Sequence, residues 1–344
     1  RKNDFSACVQ WAQKGLQMLG ESLPVSKLGL LSRTIKEFTV HFLRFHYLYN
    51  FIDRKTLETD QKIKLIIRIY DTLFWVYYYY DPNKVPATVL RMMNLTQKKL
   101  GESKELITSF CHYGLMGLGI PILLRSDIYL NKAYRLSRKM KYDFGLAQSL
   151  SCLGAYHLAR CEFLKVVECC EKSIEILSEI GDFMEYVKSG LFLFSAYFLR
   201  SEYENAERIL KLCDKFIKST SDELIYVSIG MLPYYYIETG QFQKAEEMLK
   251  AFSAFQAKTR SWIMYCSSMI AFGLLYTEMG KLERAFQYFE KALGLIKRYR
   301  FPMHFLHVIY PFYAFALIIN YRQQKDHLDR KSVKANLKKI KKFC

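Results

Sequence analysis

One interval, close to forty residues, runs through most of this 344-residue chain. With Tyr276 as reference, the equivalent positions going back are Tyr236, Tyr197, His157, Gly117 and Tyr77, at steps of 40, 39, 40, 40 and 40 residues. A small or β-branched residue keeps the same beat at Ala285, Ala245, Ala206 and Val166. So does an apolar one, at Phe289, Leu249, Leu210, Cys170, Leu130 and Leu90. Between these rows stand Gly280, Gly240, Ser201, Cys161, Pro121 and Asp81, mostly residues that break a helix or tolerate a tight turn. A chain written to such a ruler folds as like units stacked side by side, each hiding its neighbour's apolar face.

The content of each unit is helical. In 202–218 the apolar residues are Ala206, Ile209, Leu210, Cys213, Phe216 and Ile217, spaced i, i+3, i+4, i+7, i+10, i+11. Glu204, Glu207, Arg208, Lys211 and Lys215 take the other faces, and Ala245, Met248, Leu249 and Phe252 repeat the spacing. Alternating strand-like runs bounded by turn signals are few, so the class is all-α. Within 271–293 the order Phe272, Gly273, Tyr276, Gly280, Ala285, Phe289, Ala292 resembles the tetratricopeptide (TPR) repeat. That resemblance implies helix–turn–helix units stacked into a right-handed α-α superhelix.

Three regions are expected. Residues 1–58 hold Val9, Ala12, Leu16 and Leu19 at helical spacing, closed by Gly20 and Pro24, as the second helix of a truncated first unit. A long helix dense in aromatics follows from Leu28. Residues 59–321 form the array proper. Residues 322–344 are polar and basic, with Val333, Leu337 and Ile340 as a thin apolar stripe, and fill the second-helix slot of an incomplete last repeat. The opening Arg1 reads as a fragment cut from a longer protein. Three stretches lack charged residues (106–124, 261–277 and 301–321), the last near the ~20 residues a membrane span needs. All three fall in first-helix slots, which are packed on both sides and read as apolar throughout. No span is expected.

Nine cysteines suggest a framework or a metal, but no Cys-x-x-Cys occurs, and Cys111, Cys152, Cys170, Cys213 and Cys266 sit within helical patterns. Free thiols in a reducing, cytoplasmic setting fit better. The formal charge of +18 reads first as a solvated basic surface, with nucleic-acid binding as an alternative. No phosphate loop, dinucleotide fingerprint, H-E-x-x-H or G-x-S-x-G is present. His41 and His46 are five apart, a poor fit to one helical face, and His304 and His307 have no attached ligand. No metal, no cofactor and no enzyme activity are expected.

What such an array offers is a concave surface for an extended peptide or a partner helix. In TPR proteins the groove-facing positions recur along the first helix of each unit. Carried over by resemblance, they are Arg68, Asp71, Trp75 and Tyr78, then Leu115 and Leu118, then Lys188, Leu191 and Phe198, then Tyr234 and Ile237, then Ile270 and Thr277. The Lys/Asn clamp with which some TPR domains hold an acidic C-terminus is not present there. The forty-residue unit and the opening 15–24 (Gly15, Leu16, Leu19, Gly20, Leu23, Pro24) also resemble the repeat region of STAND-class signal-transduction ATPases. That implies a non-catalytic sensor or regulatory scaffold whose partners are a protein or peptide segment and other domains of the parent chain. A small-molecule or peptide-pheromone sensor is the alternative from the same architecture.

Overall fold

The computed structural model describes residues 5–24, 26–47, 60–118, 125–217, 232–259, 262–299, 309–324 and 330–341. Among them no strand occurs. By internal packing the chain divides into two units, Arg1–Glu223 and Leu224–Cys344. The first holds α1 (Phe5–Met18), α2 (Lys27–Tyr47), α3 (Asp60–Tyr80), α4 (Val85–Lys99), α5 (Lys104–Gly117), α6 (Ser126–Lys139), α7 (Asp143–Ala159), α8 (Phe163–Ile180), α9 (Phe183–Leu199) and α10 (Tyr203–Ile217). The second holds α11 (Leu232–Glu238), α12 (Phe242–Thr259), α13 (Trp262–Glu278), α14 (Leu282–Tyr299), α15 (Ile309–Gln324) and α16 (Arg330–Lys341).

Within each unit the helices pack in consecutive TPR-like pairs: α3 with α4, α5 with α6, α7 with α8 and α9 with α10, then α11 with α12, α13 with α14 and α15 with α16. Each second helix also leans on the first helix of the next pair. At the start of the first unit, α1 packs beside α3 and α2 beside α4.

The ruler of the sequence becomes geometry at the turns. His157, Tyr197, Tyr236 and Tyr276 each accept, at their carbonyl, the N–H five residues on (Glu162, Glu202, Gln241 and Lys281) at 2.7–2.9 Å. That bond closes the first helix and launches the second. The residue just before each donor is left-handed: Cys161 at φ 58°, Ser201 at 60°, Gly240 at 71° and Gly280 at 72°. Asp81 departs from the pattern at φ −147°, because Pro82 starts a short 3-10 turn, Pro82–Lys84, that leads into α4.

The small and large rows of the sequence meet each other. A Cβ on Gly273 would stand 2.6 Å from the Phe289 ring, and those on Gly114 and Gly154 would collide with Leu130 and with the Cys170 sulfur. Leu130, Cys170 and Phe289 are fully buried, as are Val166, Ala206, Ala245 and Ala285. Five buried cysteines (Cys111, Cys152, Cys170, Cys213, Cys266) carry free thiols.

A second set of forty-residue contacts is polar. Between successive pairs of the first unit, Thr96 meets Ser109 at 3.1 Å, Ser137 meets Ser149 at 3.4 Å and Ser173 meets Ser189 at 3.0 Å. Each joins a second helix to the first helix that follows, and all six residues are buried. The hydroxyls also return hydrogen bonds to backbone carbonyls, so none is stranded. Ser109, Ser149 and Ser189 stand at steps of forty.

No helix of the described residues is long and apolar enough to cross a membrane. His41 lies inside, its Nε2 2.8 Å from the Tyr129 hydroxyl. His304 and His307 fall outside the described residues.

Candidate functional site

In the first unit, consecutive first helices α3, α5, α7 and α9 lie side by side. Two of them, α5 and α9, are anchored at their start by a side-chain cap. Ser103 caps α5 by accepting the Leu106 N–H at 3.2 Å, and Asp182 caps α9 by accepting that of Glu185 at 3.0 Å. Their shared face carries a cluster of charged and aromatic side chains. Arg68, Asp71, Trp75 and Tyr78 stand on α3 at i, i+3, i+7 and i+10, which places them on one stripe.

His112 of α5 is sealed beside that stripe, 1% exposed. It stacks on Phe74 at 3.9 Å between centroids, meets the Trp75 ring edge-on at 5.6 Å, and brings Nε2 within 3.3 Å of an Asp71 carboxylate oxygen. Neither ring nitrogen makes a hydrogen bond of good geometry. From α9, Lys188 extends its ammonium to 5.0 Å from the centre of the Trp75 ring and pairs with Glu185 one turn earlier on its own helix. Helices separated by two intervening first helices thus meet in a single cluster.

Burial sets the electrostatics. Burial first, then the Glu185 carboxylate, push the Asp71 carboxyl up to about 6, while Lys188 pulls the other way. Burial, then the Lys188 charge, press the His112 imidazole down to about 3. Burial opposes the Lys188 charge too, but neighbouring Glu185 outweighs it and holds the ammonium above the ordinary lysine range. At neutral pH His112 is therefore uncharged and the Asp71 carboxyl mostly ionised. Cys111, fully buried nearby, has its thiol pushed well up by burial and stays protonated. A protonated buried thiol and an uncharged imidazole make no activated nucleophile. The Lys188 ammonium over the Trp75 indole is a cation–π contact, and Arg68 on the same stripe is exposed.

The groove residues expected from the sequence distribute unevenly. Asp71, Trp75 and Lys188 come together in the cluster, and Tyr78 adjoins it through Trp75 at 6.2 Å. Arg68 is exposed; Leu115, Leu191 and Phe198 are half-buried, and Leu118 is buried. In the second unit Tyr234, Ile237, Ile270 and Thr277 are all buried. The Tyr234 ring stacks on Phe312 at 5.8 Å, and the Thr277 hydroxyl donates to the Gly273 carbonyl at 2.8 Å. His112 and Glu185 were not among the expected residues. The available signal was a titratable ring inside the otherwise uncharged stretch 106–117 of α5, and a carboxylate three residues before Lys188.

Helix pairs on a forty-residue ruler put the chain in the TPR-like class of helical repeats. No known family and no curated protein matches the sequence. Among solved structures it is similar to a Signal Transduction ATPase with Numerous Domains (STAND) protein with a tetratricopeptide repeat sensor from Pyrococcus horikoshii, at 13% identity and a TM-score of 0.44. The match covers 99% of this chain and 52% of that one, so the chain spans about half the length of the protein it resembles.

Proposed function

We propose that this chain is a non-catalytic binding scaffold in which a protein or peptide segment docks on the first-helix face of residues 60–199. The observation that carries the reading is the cluster itself: Asp71 and Trp75, His112, and Glu185 with Lys188, drawn from three first helices onto one face. A solenoid held together by apolar contacts has no packing need for this group; a surface that reads a partner does. Trp75 is the anchor, since half-buried aromatic residues flanked by charge dominate protein recognition. The scaffold serves as the sensor or regulatory arm of a larger cytoplasmic signal-transduction ATPase, with the other domains of that protein as its second set of partners.

The test uses peptides selected from a random library against the whole chain. Trp75→Ala and Lys188→Met should each weaken the selected peptides at least about tenfold, the loss of about 1.4 kcal/mol, with the helical circular dichroism unchanged. Peptides that bind both variants as tightly as the original chain would refute the site.

A further inference from the structure

Of the two carboxylates in the cluster, only that of Glu185 has a cation of its own, Lys188. Asp71 meets the uncharged His112 ring, and among the described residues it makes no ion pair with a lysine or arginine. On α3 itself Lys64 and Arg68 stand two turns and one turn earlier; Arg68 is exposed, where water screens its charge. The helices packed on α3 supply no cation either. Lys14 of α1 lies over the Trp11 ring at 5.4 Å, Arg91 of α4 pairs with Glu21 and Glu37, and α5 presents His112. From α9 come Glu185 and Lys188, already matched to each other. Yet Asp71 keeps 40% of its side chain in solvent, one turn before half-buried Trp75. Behind it the sealed His112 turns Nε2 towards the carboxylate without forming a hydrogen bond of good geometry. The face thus offers an accessible, unmatched carboxylate beside an indole.

We infer that the residue this face reads in its peptide is a cation, a lysine or arginine whose charged head pairs with Asp71 while its methylene stem lies along Trp75. The inference rests on the docking role proposed above and names its chemistry. Charge complementarity selects the occupant. A docked acid would face the carboxylate with like charge, and a docked apolar side chain would cover it without a partner; both are costly in a partly desolvated site. A cation instead supplies the missing half of the pair, and its stem covers the indole. The same geometry sets a pH dependence. Burial, then Glu185, hold the free carboxyl up at about 6, and a docked cation favours the ionised form. The ionised fraction falls from about nine-tenths at pH 7 to about one-tenth at pH 5, so affinity should fall about tenfold over that range. His112, pressed down to about 3, stays uncharged throughout it.

The test is a library of N-acetylated peptides selected at pH 7 against the whole chain. Peptides that lose affinity against Trp75→Ala should share a lysine or arginine. Replacing that residue with methionine should weaken binding to the original chain about tenfold, and to Asp71→Asn less than about twofold. The unchanged peptide should bind about tenfold more weakly at pH 5 than at pH 7, a dependence that Asp71→Asn removes. Asp71→Glu, which keeps the charge, should keep both effects. Trp75-dependent peptides with no shared cation, or with one worth as much against Asp71→Asn, would overturn the cation and leave the docking face standing. So would an affinity that is equal at the two pH values or rises with acid. Peptides indifferent to Trp75→Ala, or a library that yields none, would overturn the face and the cation together.

Discussion

The two units use one ruler to build unlike interiors. In 224–344 the TPR-like order is plainest, and what it specifies is packing: Phe289 fills the space left by Gly273, and Phe272, Tyr276 and Tyr288 stack on one another at 4.9–6.1 Å. Every groove position expected there is buried. In 1–223 the repeat order is weaker in sequence, yet that unit holds the buried hydroxyl contacts between pairs and the Asp71–His112–Lys188 cluster. The clarity of a repeat motif reports how well neighbouring helices fit, because small and large positions are fixed by helix–helix distance. The Asp71–His112–Lys188 cluster occupies positions that this small/large order leaves free.

The sharpest way to break this contrast is at Phe289. Phe289→Ala should destabilise the second unit by about 3–5 kcal/mol, the cost of emptying a fully buried aromatic site, read from urea unfolding. A loss below about 1 kcal/mol would mean that its packing is not the organising contact. The first unit should respond more mildly to loss of its polar seam. Ser149→Ala leaves the Ser137 hydroxyl without one neighbour and should cost about 1–2 kcal/mol, with Ser189→Ala alike.

The cluster offers a test by sign. The fold holds the Asp71 proton more tightly than the unfolded chain does, so Asp71 adds stability as pH falls from about 6 into the ordinary carboxylate range. His112 acts oppositely. The fold refuses a proton that the unfolded chain accepts, so stability is lost as pH falls from the ordinary imidazole value towards about 3. Asp71 keeps 40% of its side chain in solvent, which screens its share. Asp71→Asn should therefore steepen the acid loss, and His112→Gln should flatten or reverse it, in urea midpoints measured across that range. Parallel pH profiles for the two variants and the original chain would contradict the assignment.

The smallest effect should be at the turns. Cys161 and Ser201 hold a left-handed backbone that glycine adopts freely at Gly240 and Gly280. Cys161→Gly and Ser201→Gly should each stabilise the first unit by about 1 kcal/mol, and Gly240→Ser should do the reverse to the second.

Sequence alone revealed the all-α class, the helix pairs and the register, because these rest on local chemistry: a small residue opposite a large one, a turn former after each first helix. The pairs Gly114 with Leu130 and Gly154 with Cys170 follow from spacing alone. The hydroxyl contacts are equally periodic at Ser109, Ser149 and Ser189, but serine in a helix carries no strong directional signal. Trp75 and Lys188 were both expected on the groove face, yet their meeting was not. It depends on how far successive first helices turn towards one another, a property of summed small rotations rather than of any residue. The buried placement of Ile270 and Thr277 has the same origin, since whether a first-helix position faces solvent is set by its neighbours.

The central claim is that helix pairs recur every forty residues through both units. Hydrogen exchange resolved along the backbone tests it most directly. Slowly exchanging helices should be interrupted by fast amides just after residues 162, 202, 241 and 281, where the first N–H groups of each second helix have no intrahelical partner, in the first unit and the second alike. Protection running unbroken through those turns, or breaks falling at other intervals, would contradict it.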